Sequence, residues 1–362
     1  MGLTPQQDYK KKKIEEINGG GTTGMKRKLS RRDFIRITAI GAGVLAVGGI
    51  TLKEIFAEPE LKTYAETRAL LGTFITIKVV DTDEGRAQDM VQSTFTEISR
   101  LSGILSRFDP ASELYSLNQT GQIVNASGEL VEVMEQSLQY AELTGGTFDV
   151  TVLPMLELNQ ESFQKYNAPP TTDDLTEVKR LVDYRTISIN GQDITLTKTG
   201  AGITLDSIAK GYIVDMAAGL LRDKGNDNVL VEAGGDMSLS GTSQEGDPWK
   251  IGVANPRTTG GYYQVINSSG GAIATSGDYE SAFTSDYRYH HIIDPRVGLS
   301  PADLSSTTVL ASNTTCADAL ATACMVMGKD EALAFIENLP DAEALLIDKN
   351  LTSYRTSGFP TT

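Results

Sequence analysis

Two hydrophobic periodicities alternate along this chain, and together they restrict its fold more than any other feature. Residues 73–80 alternate apolar and polar side chains, which is typical of a half-buried strand. Residues 86–106 and 129–143 instead repeat apolar side chains every three or four positions, which predicts two amphipathic helices. Gly145-Gly146 ends the second of them. The fold must therefore combine helices with strands.

The rest of the chain continues this mixture. Residues 157–184 are polar and predict an excursion that carries one short helix, whereas residues 186–197 predict a strand. Further strands are expected at 228–232, 249–254, 262–267, 288–293, 306–311 and 343–347, and further helices at 208–223, 315–328 and 330–337. Because these elements follow no strict βαβ order, the sequence predicts an α+β fold.

Charge is distributed unevenly along the 362 residues, whose net charge is −15. Residues 1–57 carry 11 Lys and Arg against 5 Asp and Glu, which leaves 21 basic and 42 acidic residues in the remainder. A surface this acidic repels nucleic acid and anionic lipid, so no nucleic-acid partner is expected. Any phosphate-bearing ligand needs a local cation or oriented backbone amides.

The basic N-terminus has the order of a twin-arginine export signal. Arg31-Arg32 precede Phe34 and a weakly apolar run at 37–52, which is shorter than the roughly 20 residues that a membrane span needs. The protein is therefore expected in the periplasm or another extracytoplasmic space, either released or anchored by an uncleaved signal. The alternative interpretation is a short buried helix that follows basic residues.

The two cysteines, Cys316 and Cys324, fall in one predicted helix and lie about 12 Å apart along its axis. This separation excludes a disulfide between them. Asp318 and Thr322 lie one turn apart in the same helix, and their oxygen atoms suit a hard cation such as Mg²⁺. Spacing alone equally allows a surface aspartate and a threonine that bonds to the helix backbone.

Residues 206–211 open a helix after a predicted strand that ends at Leu205. Free backbone amides at a helix start attract anions, and Lys210 adds a full positive charge. The alternative is an ordinary helix start with a solvated lysine. Ser207 and Lys210 also match the Ser-x-x-Lys motif of penicillin-recognising serine enzymes, but the Lys-Thr-Gly partner motif is missing, because Thr275-Ser276-Gly277 follows an alanine.

The only histidines of the chain, His290 and His291, lie within seven residues of Asp294 and Arg296. A histidine at a strand end and near a carboxylate can act as a general base near neutral pH. A purely structural role for both histidines is the alternative.

Eight segments, taken together and in their order, resemble the ApbE family of FAD:protein FMN transferases. They are Leu71-Gly72-Thr73, Ser106 to Leu114 with Asn118, Thr144 to Thr151, Leu205 to Gly211, Ala233 to Asp236, Ala274 to Tyr279, His291 to Gly298, and Ala317 to Thr322. The likeness spans roughly residues 68–347. Any one segment is a weak signal, whereas the ordered set is highly specific.

The resemblance implies an ApbE-like α+β fold, related to the T-fold, in which mixed sheets with flanking helices enclose a ligand cleft between lobes. It divides the chain into an N-terminal extension with the export signal or anchor over residues 1–57 and a single flavin transferase domain over residues 58–362.

The resemblance also implies a reaction. FAD would bind in the cleft with Mg²⁺ on its diphosphate, and a Thr or Ser hydroxyl of an exported or membrane-associated acceptor protein would attack the phosphorus of the FMN half, so that AMP leaves. Two alternatives stay open: hydrolysis of FAD to FMN and AMP at the same site, and an FAD-binding carrier without catalysis.

Each implied role falls on a position in the matching segments. The implied metal ligands are Ser207, through its carbonyl, with Asp318 and Thr322. The implied catalytic residues are His291, Asp294 and Lys210. The implied FAD contacts are Thr73, Phe108, Ser112, Glu113, Phe148, Asp149, Asp206, Lys210, Ser276, Gly277, His291 and Ile292.

Overall fold

The computed structural model describes residues 60–361, and the predicted export segment lies outside this range. The described residues form the strands β1 (Lys62–Leu70), β2 (Thr73–Asp81), β3 (Gln122–Ile123), β4 (Ile187–Asn190), β5 (Asp193–Leu196), β6 (Val229–Ala233), β7 (Asp236–Ser240), β8 (Trp249–Ala254), β9 (Tyr262–Ser268), β10 (Gly270–Gly277), β11 (Leu304–Ala311), β12 (Glu343–Asp348) and β13 (Ser353–Arg355). The α-helices are α1 (Glu84–Leu105), α2 (Glu113–Thr120), α3 (Gly128–Leu143), α4 (Leu153–Tyr166), α5 (Thr172–Lys179), α6 (Ala209–Asp223), α7 (Thr314–Met327) and α8 (Lys329–Glu337).

One eight-stranded sheet organises the fold. Its strand order is β1-β2-β6-β7-β10-β11-β12-β13, and every pair of neighbours in it is antiparallel. A small sheet, β3-β5-β4, and the separate hairpin β8-β9 complete the strands. Because β2 pairs directly with β6, helices α1–α6 and the small sheet form one long insertion between two neighbouring strands. The α+β class is confirmed.

Helices α1, α6 and α7 cover the central sheet. Helix α6 packs on β6 and β7, α7 packs on β10 and β11, and both α1 and α7 contact α6. Their apolar stripes are fully buried, as Phe95 of α1, Ala217 of α6 and Leu320 of α7 show. The apolar residues that repeat with helical periodicity in the sequence therefore form the core-facing side of these helices.

Helices α6 and α7 cap each other at their N-termini. The residue before α6 is Ile208, which offers no capping oxygen, and instead Asp318 Oδ2 of α7 accepts a hydrogen bond from the Gly211 amide at 3.1 Å. In return, Asp215 of α6 accepts from the backbone amides of Thr314 and Thr315, both at 2.8 Å. Each carboxylate satisfies amides that a helix start leaves free.

Gly211 makes this arrangement possible. A Cβ at this position would lie 2.5 Å from the Thr314 carbonyl oxygen, which belongs to the backbone of α7. Only glycine lets the two helices come this close, and the contact brings the start of α6 against Asp318.

Several predicted elements are confirmed within one or two residues, but four expectations are wrong. Residues 186–197 form the hairpin β4-β5 rather than one strand, because Gly191 adopts φ +60° in the turn. Residues 288–293 form a loop with one isolated bridge, and residues 201–205, expected to end a strand, form none. The segment 157–184 contributes to two helices, α4 and α5.

The two cysteines lie on α7 and are both free, as expected. Among residues 60–361, no helix combines the length and the hydropathy that crossing a bilayer requires.

Candidate active site

A cavity of about 300 Å³ opens where the start of α6, the middle of α7 and the end of β10 meet. The loops around residues 107, 148 and 291 close its sides. Eleven of the predicted site residues line it, namely Phe108, Phe148, Asp149, Asp206, Ser207, Lys210, Ser276, His291, Ile292, Asp318 and Thr322. The structure thus brings together residues that lie more than 200 positions apart in the chain.

Asp318 and Thr322 face the cavity from adjacent turns of α7. Asp318 is buried and held by the Gly211 amide, while the Thr322 hydroxyl lies 3.1 Å from the Ser276 hydroxyl of β10. Both side chains therefore have a fixed place before any ligand binds.

The charges in this corner do not balance. Lys210 forms an ion pair with the buried Asp236, whose second oxygen, Oδ1, is buried without a hydrogen-bond partner among the described residues. Burial and then the neighbouring Asp236 raise the pKa of Asp318 to about 8. Glu280 also lines the cavity, and although part of its side chain is exposed, removal from bulk water raises its pKa to about 7. Three carboxyl groups thus compete for one ammonium group.

This corner fits a magnesium ion. Within the described part of the chain, no group of three or more His, Cys, Asp and Glu side chains could form a complete metal site. Mg²⁺ commonly takes only one or two carboxylates and completes its coordination with hydroxyls, water and substrate phosphates. Asp318 and Thr322 supply suitable oxygen donors at the cavity, and a cation there would offset the carboxyl groups that crowd around Lys210.

His291 lines the cavity with its imidazole ring. Its backbone amide donates to the Ser281 carbonyl at 3.0 Å, while its buried Nδ1 has no partner among the described residues. Burial lowers the pKa of His291, and Lys210 lowers it further, although Asp206 opposes this effect. The ring is therefore neutral at pH 7 and can accept a proton.

Comparison with known proteins identifies the arrangement. Residues 71–346 match the ApbE family. The chain belongs to the ApbE family. An FAD:protein FMN transferase of Haemophilus influenzae is 31% identical over 336 residues, which cover 88% of this chain and 96% of that relative. An FAD:protein FMN transferase of Vibrio cholerae is 33% identical over 278 residues, covering 73% of this chain and 83% of that relative.

The fold agrees with solved ApbE structures. The crystal structure of the ApbE protein from Thermotoga maritima matches with a TM-score of 0.75 and 31% identity, covering 82% of this chain and 98% of that one. The flavin transferase ApbE from Vibrio cholerae matches with a TM-score of 0.73 and 29% identity, covering 83% and 98%. The predicted family and the predicted fold are both confirmed.

Five residues implied by the ApbE resemblance lie outside the cavity lining. Ser112 caps α2 by accepting from the Tyr115 amide at 3.0 Å. Glu113 accepts from the amide and the hydroxyl of Ser127, at 2.9 and 2.8 Å. These contacts hold the loop that carries Phe108 and give both residues a structural role.

Thr73 and Gly277 also lie outside the cavity lining, in places where only glycine leaves enough room for a neighbouring side chain. A Cβ on Gly234 would lie 2.6 Å from the Thr73 hydroxyl, and a Cβ on Gly277 would lie 2.4 Å from the Tyr279 ring.

Asp294 forms a two-pronged ion pair with Arg296, at 2.9 Å from Nε to Oδ1 and 2.9 Å from Nη2 to Oδ2. The Asp294 oxygens are therefore engaged by a cation, and the catalytic role implied for Asp294 stays a prediction.

The resemblance left three residues in or beside the cavity without a role. Asp236 ends the Ala-Gly-Gly-Asp segment, and Glu280 directly follows another matching segment. Arg107 donates from Nε to Asp206 Oδ2 at 2.9 Å, and its guanidinium lies 3.9 Å from the centre of the Phe108 ring. All three lie in or beside motifs, but only the pairing of distant elements shows what they contact.

His290 has a structural role. Its ring is fully buried, with Nε2 3.2 Å from the Pro301 carbonyl oxygen, and burial lowers its pKa to about 4. The unfolded chain therefore binds a proton first as the pH falls, and the contribution to stability present above about pH 6.5 is lost between pH 6.5 and 4.

We expect the free energy of unfolding to fall by about 2 kcal/mol through His290 between pH 7 and pH 5. Urea unfolding at both pH values measures this loss. A His290→Gln variant should show a smaller difference between the two pH values. The same difference in the variant and the wild type would contradict the assignment.

Proposed function

We propose that this chain uses Mg²⁺ to transfer the FMN half of FAD to a Thr or Ser hydroxyl of an exported protein, with release of AMP. Flavin transfer to protein is the activity for which the curated relatives are named, and the predicted enzyme class is confirmed by them. The metal, the hydroxyl acceptor and the leaving group are the finer parts of the proposal.

One observation supports the metal above all. Asp236, Asp318 and Glu280 surround a single ammonium group, so the corner is short of positive charge, and a bound diphosphate would add more negative charge there. Mg²⁺ held by Asp318, Thr322 and the Ser207 carbonyl would neutralise the diphosphate and polarise its oxygens.

The remaining chemistry belongs to side chains of this protein. The acceptor oxygen forms a bond to the FMN phosphorus, its proton passes to the neutral imidazole of His291, and the bond between that phosphorus and the AMP oxygen breaks with its electron pair on AMP. Because Lys210 is paired with Asp236, less of its positive charge is available to an anionic ligand than its position at the helix start suggested. Its pKa is nevertheless raised, because the carboxylates outweigh the effect of burial, so it stays charged.

Phe108 offers the FAD rings a stacking surface. Its side chain is 70% exposed at the mouth of the cavity and already carries the Arg107 guanidinium on one face. The other face is available to a flat heterocycle, without a hydroxyl to bond to it.

Mass spectrometry tests the proposal directly. The full chain is incubated with FAD, Mg²⁺ and the extracytoplasmic proteins of its source, with a parallel sample in EDTA. We expect one protein to gain an FMN phosphoester that survives denaturation, with one AMP released per adduct, only when Mg²⁺ is present. AMP release at the same rate without acceptor would identify a hydrolase, and unaltered FAD would identify a carrier.

Export by the twin-arginine route is a separate part of the proposal. It is supported by Arg31-Arg32 and the apolar run that follows, which lie outside the described residues. Replacing both arginines with lysine should retain the protein in the cytoplasm, as cell fractionation would show. Unchanged secretion of this double variant would refute the route.

A further inference from the structure

A buried charge cluster lies at the start of residues 278–291, the segment that carries His291. Asp278, the first residue after β10, is fully buried and receives two hydrogen bonds from Arg257, at 2.8 Å from Nη1 to Oδ1 and 2.7 Å from Nη2 to Oδ2. Lys349, which follows β12, donates from Nζ to the same Oδ2 at 2.6 Å. A two-pronged pair of this kind is among the strongest and most directional polar contacts in proteins.

The same two cations hold the middle of the segment. Tyr287 adopts φ +58°, a left-handed conformation that is unfavourable for a bulky side chain. Lys349 Nζ donates to the Tyr287 carbonyl at 3.2 Å, and the Arg257 guanidinium lies 4.4 Å from the centre of the Tyr287 ring. Arg257 and Lys349 therefore hold both Asp278 and Tyr287, which lie nine residues apart in the chain.

Backbone hydrogen bonds then join the two ends of the loop that contains Tyr287. The Phe283 amide donates to the Tyr289 carbonyl at 2.7 Å, and the His291 amide donates to the Ser281 carbonyl at 3.0 Å. Ser281 lies only three residues after Asp278. A shift of Asp278 or Tyr287 would therefore be transmitted to His291 through few intervening bonds.

We infer that Arg257 is a positioning residue that, with Lys349, clamps Asp278 and Tyr287 and so holds His291 at the cavity. Arg257 lies in the connection between β8 and β9 and does not line the reaction cavity itself. The inference rests on the proposed function, because it takes His291 to accept the proton of the acceptor hydroxyl. It adds a role for the β8-β9 hairpin, which lies outside the central sheet.

Kinetics with three variants test the clamp. Arg257→Met should lower kcat for Mg²⁺-dependent AMP release from FAD, with the extracytoplasmic proteins as acceptor, by about tenfold or more, since small displacements of a catalytic group are costly. The KM for FAD should stay within about twofold, because Arg257 does not contact the cavity. Arg257→Lys keeps a cation opposite Asp278 and should fall between Arg257→Met and the wild type.

Arg288→Met is the matched control. Arg288 lies in the same segment, but its guanidinium packs over Tyr289 and takes no part in the Asp278 cluster. This variant should keep wild-type kcat. If Arg257→Met proves unfolded by circular dichroism, Lys349→Met removes the other cation of the clamp and takes its place in every measurement.

Nuclear magnetic resonance separates positioning from a general loss of stability. The chain contains only two histidines, so ¹⁵N-histidine labelling reports on His290 and His291 alone. In folded Arg257→Met, the imidazole signals and the titration of His291 should change, and those of Arg288→Met should not.

Unchanged His291 signals in the folded clamp variant, or a change confined to KM, would overturn the inference. If the wild-type chain transfers no flavin, the proposed function fails, but the resonance comparison still decides whether the clamp holds His291.

Discussion

Asp318→Asn is expected to lower Mg²⁺-dependent flavin transfer by about 10³-fold, the largest effect of any single substitution proposed for this protein. The reason is that an amide cannot ionise, so the corner loses the carboxylate that a bound Mg²⁺ would keep charged beside the diphosphate. Asparagine keeps an oxygen that can accept from the Gly211 amide, so the cap on α6 survives. The measurement is the rate of AMP release as a function of Mg²⁺ concentration.

Asp303→Asn provides the matched control for this prediction. Asp303 is an exposed aspartate whose carboxylate accepts from the Lys329 amide at 2.8 Å, and it does not line the cavity. The same chemical change there should leave the rate unaltered. If Asp318→Asn turned over FAD at the wild-type rate and with the wild-type requirement for Mg²⁺, Asp318 would not be a metal ligand.

His291→Gln is expected to lower kcat by about 10²-fold or more while leaving the affinity for FAD nearly unchanged, since a general base contributes about 10²–10⁴ to a rate. Glutamine has a similar reach but cannot take up a proton. Fluorescence titration with FAD separates binding from turnover.

The pH dependence adds a second readout for His291. Because burial lowers its pKa, protonation of the His291 ring should give the wild-type rate an acidic decline whose midpoint lies below pH 6.5. That acidic decline should be absent from the residual activity of His291→Gln. His290→Gln, with the same change one residue earlier, should keep the wild-type rate at pH 7. Equal losses in the two variants would argue for a structural role of both histidines.

The parts of the fold that follow from local sequence were predictable. Helix α7 and the one-turn spacing of Asp318 and Thr322 follow from periodicity alone, and so does the exclusion of a disulfide between Cys316 and Cys324. The structure confirms these features because they depend on contacts within a single helix.

The parts that depend on pairing between distant segments were not predictable. Lys210 was expected to present its charge to an anion, yet the order of strands in the sheet places Asp236, 26 positions later, against it. The resemblance placed Asp294 among the catalytic residues, and only the structure shows its ion pair with Arg296. Periodicity also predicted a strand over 288–293, whereas these residues form a loop with one isolated bridge, between Ala282 and His290.

His290 and His291 show most clearly what the local sequence could not predict. Adjacent in sequence and identical in type, they differ completely in surroundings: one is buried against the Pro301 carbonyl, and the other faces the cavity. Backbone direction decides between them, and no local pattern encodes that direction. The ordered motifs selected His291, and the geometry agrees.

The shared capping of α6 and α7 has a consequence for ion selectivity. One oxygen of Asp318 accepts from a backbone amide, which favours coordination of a metal through the other oxygen alone. Ca²⁺ gains from carboxylates that wrap around it in large, irregular coordination shells, whereas Mg²⁺ takes single oxygens in a compact octahedron. The enzyme should therefore discriminate against Ca²⁺ through the stiffness of its helix pair rather than through the identity of its ligands.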